Sequence, residues 1–324
     1  MPLFSLDDLH QAIDFVQKLV PPTPTHHWPL LAKRTGVNVY VKHENHTPIG
    51  AFKARGVPLF VHELAQSGVP LNGLVTATRG NHGQAVALAA TKHGIPSVVV
   101  VPEGNSLEKN AAMEAFGGEL IIAGADFEES RAIAVQIGEE RDYHMVPSFH
   151  PHIVKGVATY AYELFQSTPP LSAVYVSIGM GSGICGVITA RDLLGLDTEI
   201  IGVVAKAAPS YGLSFDAGEI IETNTAKTFA DGIACRSPDE GAFEIIKNGA
   251  SRIIQLDEDE IANAMRIYYS DTHNIAEPAA AAPLAALIRE QTQYAGRDVG
   301  VILTGSNVDA PVYQEVMAGK TPVI

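Results

Sequence analysis

"GLVTATRGNHGQAVALAATKHGIPSVVVVP", residues 73–102, carries the grammar of a parallel α/β fold. "GLVTAT" (73–78) is a short apolar run of the kind found in a buried strand. "NHGQAVALAATKHGI" (81–95) reads as a helix, stopped by Gly94 and Pro96. "SVVVVP" (97–102) is a second buried strand. The same alternation continues outward: helix "SLEKNAAMEAFGG" (106–118), strand "ELIIAG" (119–124), helix "FEESRAIAVQIGEERD" (127–142) and strand "YHMVPS" (143–148). Strands that alternate with helices in this way predict a parallel sheet with right-handed crossovers.

A second series begins near residue 155. It reads as helix "GVATYAYELFQ", strand "AVYVSIG", a Gly-rich turn, helix "GVITARDLLG" and strand "EIIGVVA", with "TPPLS" (168–172) as a loop. "AAAAPLAALIREQ" is a late helix and "DVGVILTG" a late strand. Near the N-terminus, Ser5 and Asp8 form a capping box for a helix that Pro21 and Pro22 stop, and "VNVYVKHE" alternates like a strand. No repeat of solenoid period is present. The expectation is two α/β lobes, residues 71–147 forming the smaller and residues 1–70 with 148–324 the larger, with ligands bound in the cleft between them.

Composition narrows the function. The 324 residues suffice for a sizeable core, and 46% hydrophobic with 18% charged residues is globular composition. A formal net charge of −14 argues against a nucleic-acid partner. Two cysteines, Cys185 and Cys235, build neither a disulfide framework nor a zinc site. With no apolar run long enough to span a bilayer and no signal-like N-terminus, the expectation is a cytoplasmic protein without a membrane partner.

Four stretches carry chemistry. "IGAFKARG" (49–56) sets Lys53 after Ala51 and Phe52, and an amine in apolar surroundings loses proton affinity and gains nucleophilicity. "TATRGNHGQA" ends a strand and opens a helix, so its N–H groups suit a carboxylate. "SIGMGSGICGV" sets Gly179, Gly181 and Gly183 between strand and helix, where N–H groups can approach a phosphate. "VILTGSNVD" ends a buried strand at Thr304. Singly, each has an ordinary structural reading: a surface lysine, a helix cap, a tight turn, a strand end.

In this order, "GAFKARG", "RGNHGQA", "GMGSG" and "LTGSNVD" resemble the fold-type II pyridoxal-phosphate enzymes, and with "FADGIACRSPDEGAFEII" and "AEPAAAAPLAAL" they are most similar to the threonine/serine dehydratase and serine racemase branch. The resemblance spans residues 20–310. It implies a two-lobed α/β fold like the β subunit of tryptophan synthase, pyridoxal 5'-phosphate as cofactor, a small amino-acid substrate and a homodimer. It also implies roles. Lys53 would hold the cofactor as a Schiff base and move the Cα proton, with Phe52 beside the ring. Asn81 would bond the ring hydroxyl, and Gly179, Met180, Gly181, Ser182 and Gly183 would cradle the phosphate. Thr304 would face the pyridine nitrogen, where a neutral hydroxyl leaves a weaker electron sink than an aspartate does. Thr78, Arg79, Gly80, Asn81 and His82 would bind the substrate. The implied reaction is dehydration of L-threonine or L-serine to a 2-oxo acid and ammonia.

Departures from the branch's pattern leave other readings open. Arg79 stands where racemases of the branch place a serine, and an arginine is a poor base, which speaks against racemisation. Lys206 stands where relatives place an acidic metal ligand, so no divalent metal is expected; its ammonium could take the cation's place, or it is a surface lysine. Thr47 and Ile49 replace residues near the expected substrate side chain. A β-aryl serine such as phenylserine is therefore a rival substrate, and 3-hydroxyaspartate another if Arg79 points into the pocket. Amino-acid racemisation, β-replacement and a non-enzymatic binding role complete the alternatives. No regulatory extension follows residue 324, unlike the long, feedback-regulated biosynthetic threonine dehydratases, so a catabolic role is the expectation.

Overall fold

The computed structural model describes residues 3–323. Its ten strands are β1 (Thr25–His27), β2 (Asn38–His43), β3 (Leu74–Ala77), β4 (Ser97–Val101), β5 (Glu119–Ile122), β6 (His144–Met145), β7 (Ala173–Ser177), β8 (Glu199–Ala205), β9 (Arg252–Leu256) and β10 (Asp298–Leu303). They form two sheets, ordered β1-β2-β10-β7-β8-β9 and β5-β4-β3-β6. Every pairing is parallel except β1 with β2.

The four-stranded sheet is built by the stretch from residue 73. All residues of β3 and β4 are buried, which is why both read as unbroken apolar runs. The helix Asn81–His93 ends at Gly94 in the left-handed conformation, a backbone state glycine enters without steric cost. Ser106 caps the helix Leu107–Ala115 by accepting from the Lys109 N–H. The strand expected over "YHMVPS" shrinks to two residues, His144 and Met145, because only these pair with β3.

The six-stranded sheet holds the larger core. Its centre is β10, parallel to β2 on one side and β7 on the other. The helix Leu6–Val16 starts at the Ser5–Asp8 capping box, as its spacing implies. The helix Pro278–Glu290 keeps Pro283 inside it and is buried over most of its length, packing against β7, β8 and β10.

Among the helices that have no counterpart in the sequence reading, one carries the site. Lys53–Gln66 begins at the nucleophile candidate itself. Arg55 on its first turn is fully buried. It donates to Glu44 at 2.7 Å and 3.0 Å and to Glu163 at 2.8 Å and 2.9 Å. Lys42, also buried, donates to the same Glu163 at 2.6 Å. The charge after Lys53 is therefore a brace between elements rather than a surface group, and it ties this helix to β2's end and to the helix Pro151–Ser167.

Candidate active site

Both sheets point the C-terminal ends of their parallel strands at one cavity, where open α/β folds bind ligands. From the larger sheet come the loop after β7 (Gly179 to Gly183), Thr304 after β10, and Phe52 with Lys53. From the smaller sheet comes the turn after β3, Thr78 to His82. All the site residues singled out in the sequence line this single cavity.

Lys53 stands with its ammonium in the cavity. Its Nζ donates to Ser182 Oγ at 3.1 Å and lies 5.2 Å from the Phe52 ring centre. No carboxylate pairs with it among the described residues, and burial lowers its pKa to about 8, so a useful fraction of free amine exists near neutrality. Phe52 stands edge-on to Tyr160, with ring centres 6.2 Å apart, which fixes its plane.

The loop after β7 opens the helix Ser182–Leu193. An added Cβ at Gly179 would lie 2.2 Å from the Gly232 carbonyl oxygen. Gly181 has φ +92°, and a Cβ there would lie 2.6 Å from Ala242. Only glycine permits this close backbone packing, which turns N–H groups and the positive helix end toward the cavity. The loop contains no lysine or arginine, so backbone N–H groups would carry a bound phosphate.

Across the cavity, Thr78 Oγ1 accepts from the Gly80 N–H at 3.0 Å and shapes the turn. Asn81 and His82 open a helix, so their N–H groups have no partner within it. His82 is buried; its Nε2 lies 3.4 Å from the Val146 carbonyl and its Nδ1 has no partner among the described residues. Burial, aided by Lys53, lowers its pKa to about 3, so it is neutral. Asn81 is held on both sides, donating to Glu277 at 2.8 Å and accepting from Asn307 at 2.7 Å. One amide N–H is left for a ligand. Arg79 lines the cavity at its rim and is exposed.

Several cavity residues escaped the sequence reading. Lys109, from the smaller body, reaches across to Asp231 at 3.3 Å. Its ammonium also lies against the turn, 3.6 Å from where a Gly80 Cβ would be. Glu277 is buried and its pKa is raised to about 7 by burial, against the opposing pull of Lys109 and the Asn81 hydrogen bond. Phe127 and Cys235 add apolar wall. Glu277 sits inside the quoted "AEPAAAAPLAAL", where an acid before a helix was a signal that could be followed; Lys109 and Asp231 carry no local signal.

The other expectations resolve differently. Thr47 and Ile49 are buried and do not line the cavity; Thr47 Oγ1 instead donates to the Ala51 carbonyl at 2.7 Å and accepts from its N–H at 2.9 Å, bracing the approach to Lys53. Lys206 is exposed and pairs with Asp257 at 3.1 Å, the surface reading of that residue.

A glycine cradle, a lone amine of low proton affinity and a Thr304 hydroxyl with no hydrogen-bond partner among the described residues, all lining one cavity, fit a phosphorylated aldehyde cofactor. Residues 16–305 match the family described as pyridoxal-phosphate dependent enzyme. The chain belongs to this family. Its cofactor is pyridoxal 5'-phosphate. The chain is 35% identical to an L-threonine ammonia-lyase of Geobacter sulfurreducens, over 95% of this chain and 77% of that one. It is 31% identical to an L-threo-3-hydroxyaspartate ammonia-lyase of Saccharomyces cerevisiae, over 97% and 96% of the two chains. The processed threonine deaminase isoform 2 of Solanum lycopersicum superposes with a TM-score of 0.89 at 28% identity, covering 98% of this chain and 95% of that one. This pyridoxal-phosphate enzyme thus stands in the ammonia-lyase and dehydratase branch, and its fold is the two-lobed fold of that branch. No described helix is long and apolar enough to cross a membrane.

Proposed function

We propose that this enzyme dehydrates a β-hydroxy-α-amino acid, with L-threonine and L-serine the simplest members, to a 2-oxo acid and ammonia. The observation that carries this reading is the placement of the Lys53 ammonium between the glycine loop and the turn Thr78–His82, in one cavity. Pyridoxal phosphate, when bound, supplies a sink for the electron pair left at Cα. The protein does the rest. Gly179 to Gly183 hold the phosphate through N–H groups and the helix end. The turn Thr78–His82 fixes the substrate carboxylate. That leaves the Cα–H bond facing Lys53, whose Nζ takes the proton when it is neutral. Neutral His82 puts no competing cation in the turn, and Asn81 is aligned by Glu277 and Asn307.

Proton exchange on both faces of Cα, as racemisation needs, requires a second base. Arg79, permanently protonated, does not supply one. Elimination is therefore the favoured outcome over racemisation.

The test is 2-oxo acid formation by cofactor-loaded protein offered L-threonine, L-serine, L-threo-phenylserine and L-threo-3-hydroxyaspartate, with Lys53→Ala as control. Product that disappears in the control supports the reading. No product from any of the four, from protein that shows the visible absorbance of bound cofactor, sinks it and moves the weight to racemisation or β-replacement.

A further inference from the structure

The charges facing the cavity do not cancel, and the remainder sits at one residue. Lys109 is answered by Asp231 at 3.3 Å. Glu277 is answered by Asn81 at 2.8 Å. Lys53 is engaged with Ser182 and reserved for the cofactor. His82 is neutral. Arg79 has no ion pair and no side-chain hydrogen bond among the described residues, yet it lines the cavity. In a chain with a net charge of −14, an unanswered cation at the cleft rim is a departure from the general trend.

We propose that Arg79 selects a substrate that carries a second carboxylate on its β-carbon, so that the preferred substrates are acidic β-hydroxy-α-amino acids of the 3-hydroxyaspartate class. This rests on the lyase reading above and adds the side chain to it. The geometry is that of a single turn. The α-carboxylate is assigned to the N–H groups of Asn81 and His82, and Arg79 comes two residues before Asn81 in the same turn and lines the same cavity, within reach of a group carried on Cβ. A guanidinium binds a carboxylate through two parallel hydrogen bonds, a geometry a methyl, hydrogen or aryl substituent cannot satisfy. Lys109, which lies against Gly80, is already paired with Asp231, so Arg79 is the cation of this turn left without a partner among the described residues. The conversion balances. The Cα–H and Cβ–O bonds of 3-hydroxyaspartate break and water leaves; hydrolysis then returns one water as ammonia departs, giving oxaloacetate.

The experiment compares cofactor-loaded wild type, Arg79→Gln and Arg79→Lys on L-threo-3-hydroxyaspartate and L-threonine. It adds binding of L-aspartate and L-alanine, which carry no β-hydroxyl to lose, followed by the visible absorbance of the cofactor. Wild type is expected to favour the acidic substrate by about tenfold or more in kcat/KM, a ratio that falls about tenfold in Arg79→Gln, chiefly through KM, and partly recovers in Arg79→Lys. L-Aspartate is expected to bind about tenfold more tightly than L-alanine to wild type and equally to Arg79→Gln. A wild type that prefers threonine or phenylserine, or a ratio that Arg79→Gln leaves unchanged, overturns the proposal while leaving the lyase reading intact. Arg79-dependent aspartate binding without 2-oxo acid from any substrate overturns the lyase reading and upholds the selection.

Discussion

At the scale of single residues, Glu277 gives the sharpest expectation. It is a carboxyl buried among Asn81, Lys109 and Asp231, with its pKa raised from the usual 4.5 to about 7. A carboxyl whose proton is held more tightly in the folded state contributes stability that is fully present below its unfolded pKa. That contribution is lost as pH rises through about 7. At about 1.4 kcal/mol per pH unit of displacement, the full effect is about 3 kcal/mol. Urea unfolding of cofactor-free protein should therefore show wild type losing stability relative to Glu277→Gln between pH 5 and 8. Parallel pH profiles for the two would mean that Glu277 is ionised in the fold and fully compensated by Lys109. Lys53 lies on the opposite side of the same logic, since burial depresses its pKa and makes the amine available. The two groups hold opposite protonation preferences within one cavity, a pattern common to acid–base sites.

At the scale of elements, the loop after β7 depends on glycine for reasons of contact as much as of conformation. The Gly179→Ala methyl would meet a backbone carbonyl at 2.2 Å, and no side chain can swing aside to relieve it. The substitution is expected to cost about 1–3 kcal/mol and to weaken pyridoxal phosphate binding, measured by thermal unfolding and by cofactor titration. Unchanged cofactor affinity would separate this loop from the phosphate. This loop was legible only in company: a Gly-rich turn between strand and helix is by itself an ordinary tight turn, and the order of the four motifs set it apart. The series from residue 73 was legible too, since β3 and β4 are buried on both faces and each helix carries its own cap or glycine stop. Other elements were not. The helix Lys53–Gln66 carries Pro58 and a buried Arg55, and its early turns are buried all round, so no amphipathic stripe marks it. The three-residue edge strand β1 is too short for any period. Lys109 and Asp231 meet only because two distant segments face each other across the cleft, and nothing local in either announces it.

At the scale of the whole molecule, two kinds of long-range contact hold the site. The first is the buried charge network of Arg55, Glu44, Glu163 and Lys42. Arg55→Met would strand two buried carboxylates, at a cost of about 3–5 kcal/mol, read as a lowered unfolding midpoint in urea. A loss below about 1 kcal/mol would show that the site's scaffold relaxes around the missing charge. The second is a seam of polar contacts between the helix Leu107–Ala115 and the larger body. Ser106 donates to Asp309, Glu108 accepts from the Ala310 N–H at 2.9 Å, and Lys109 reaches Asp231. Exposed or half-exposed pairs of this type are worth about 1 kcal/mol or less each, so the seam can part at small cost and admit substrate. Asp309 does not line the cavity that holds Lys53. Asp309→Ala should therefore act on closure alone, removing the acceptor of Ser106 while that residue still caps its own helix. The expected result is faster amide exchange in the helices Leu107–Ala115 and Asn81–His93 and a raised KM, with exchange in β7, β8 and β10 unchanged. Faster exchange spread evenly over both sheets would instead make the seam a global stabiliser, because a latch loosens only the body it holds.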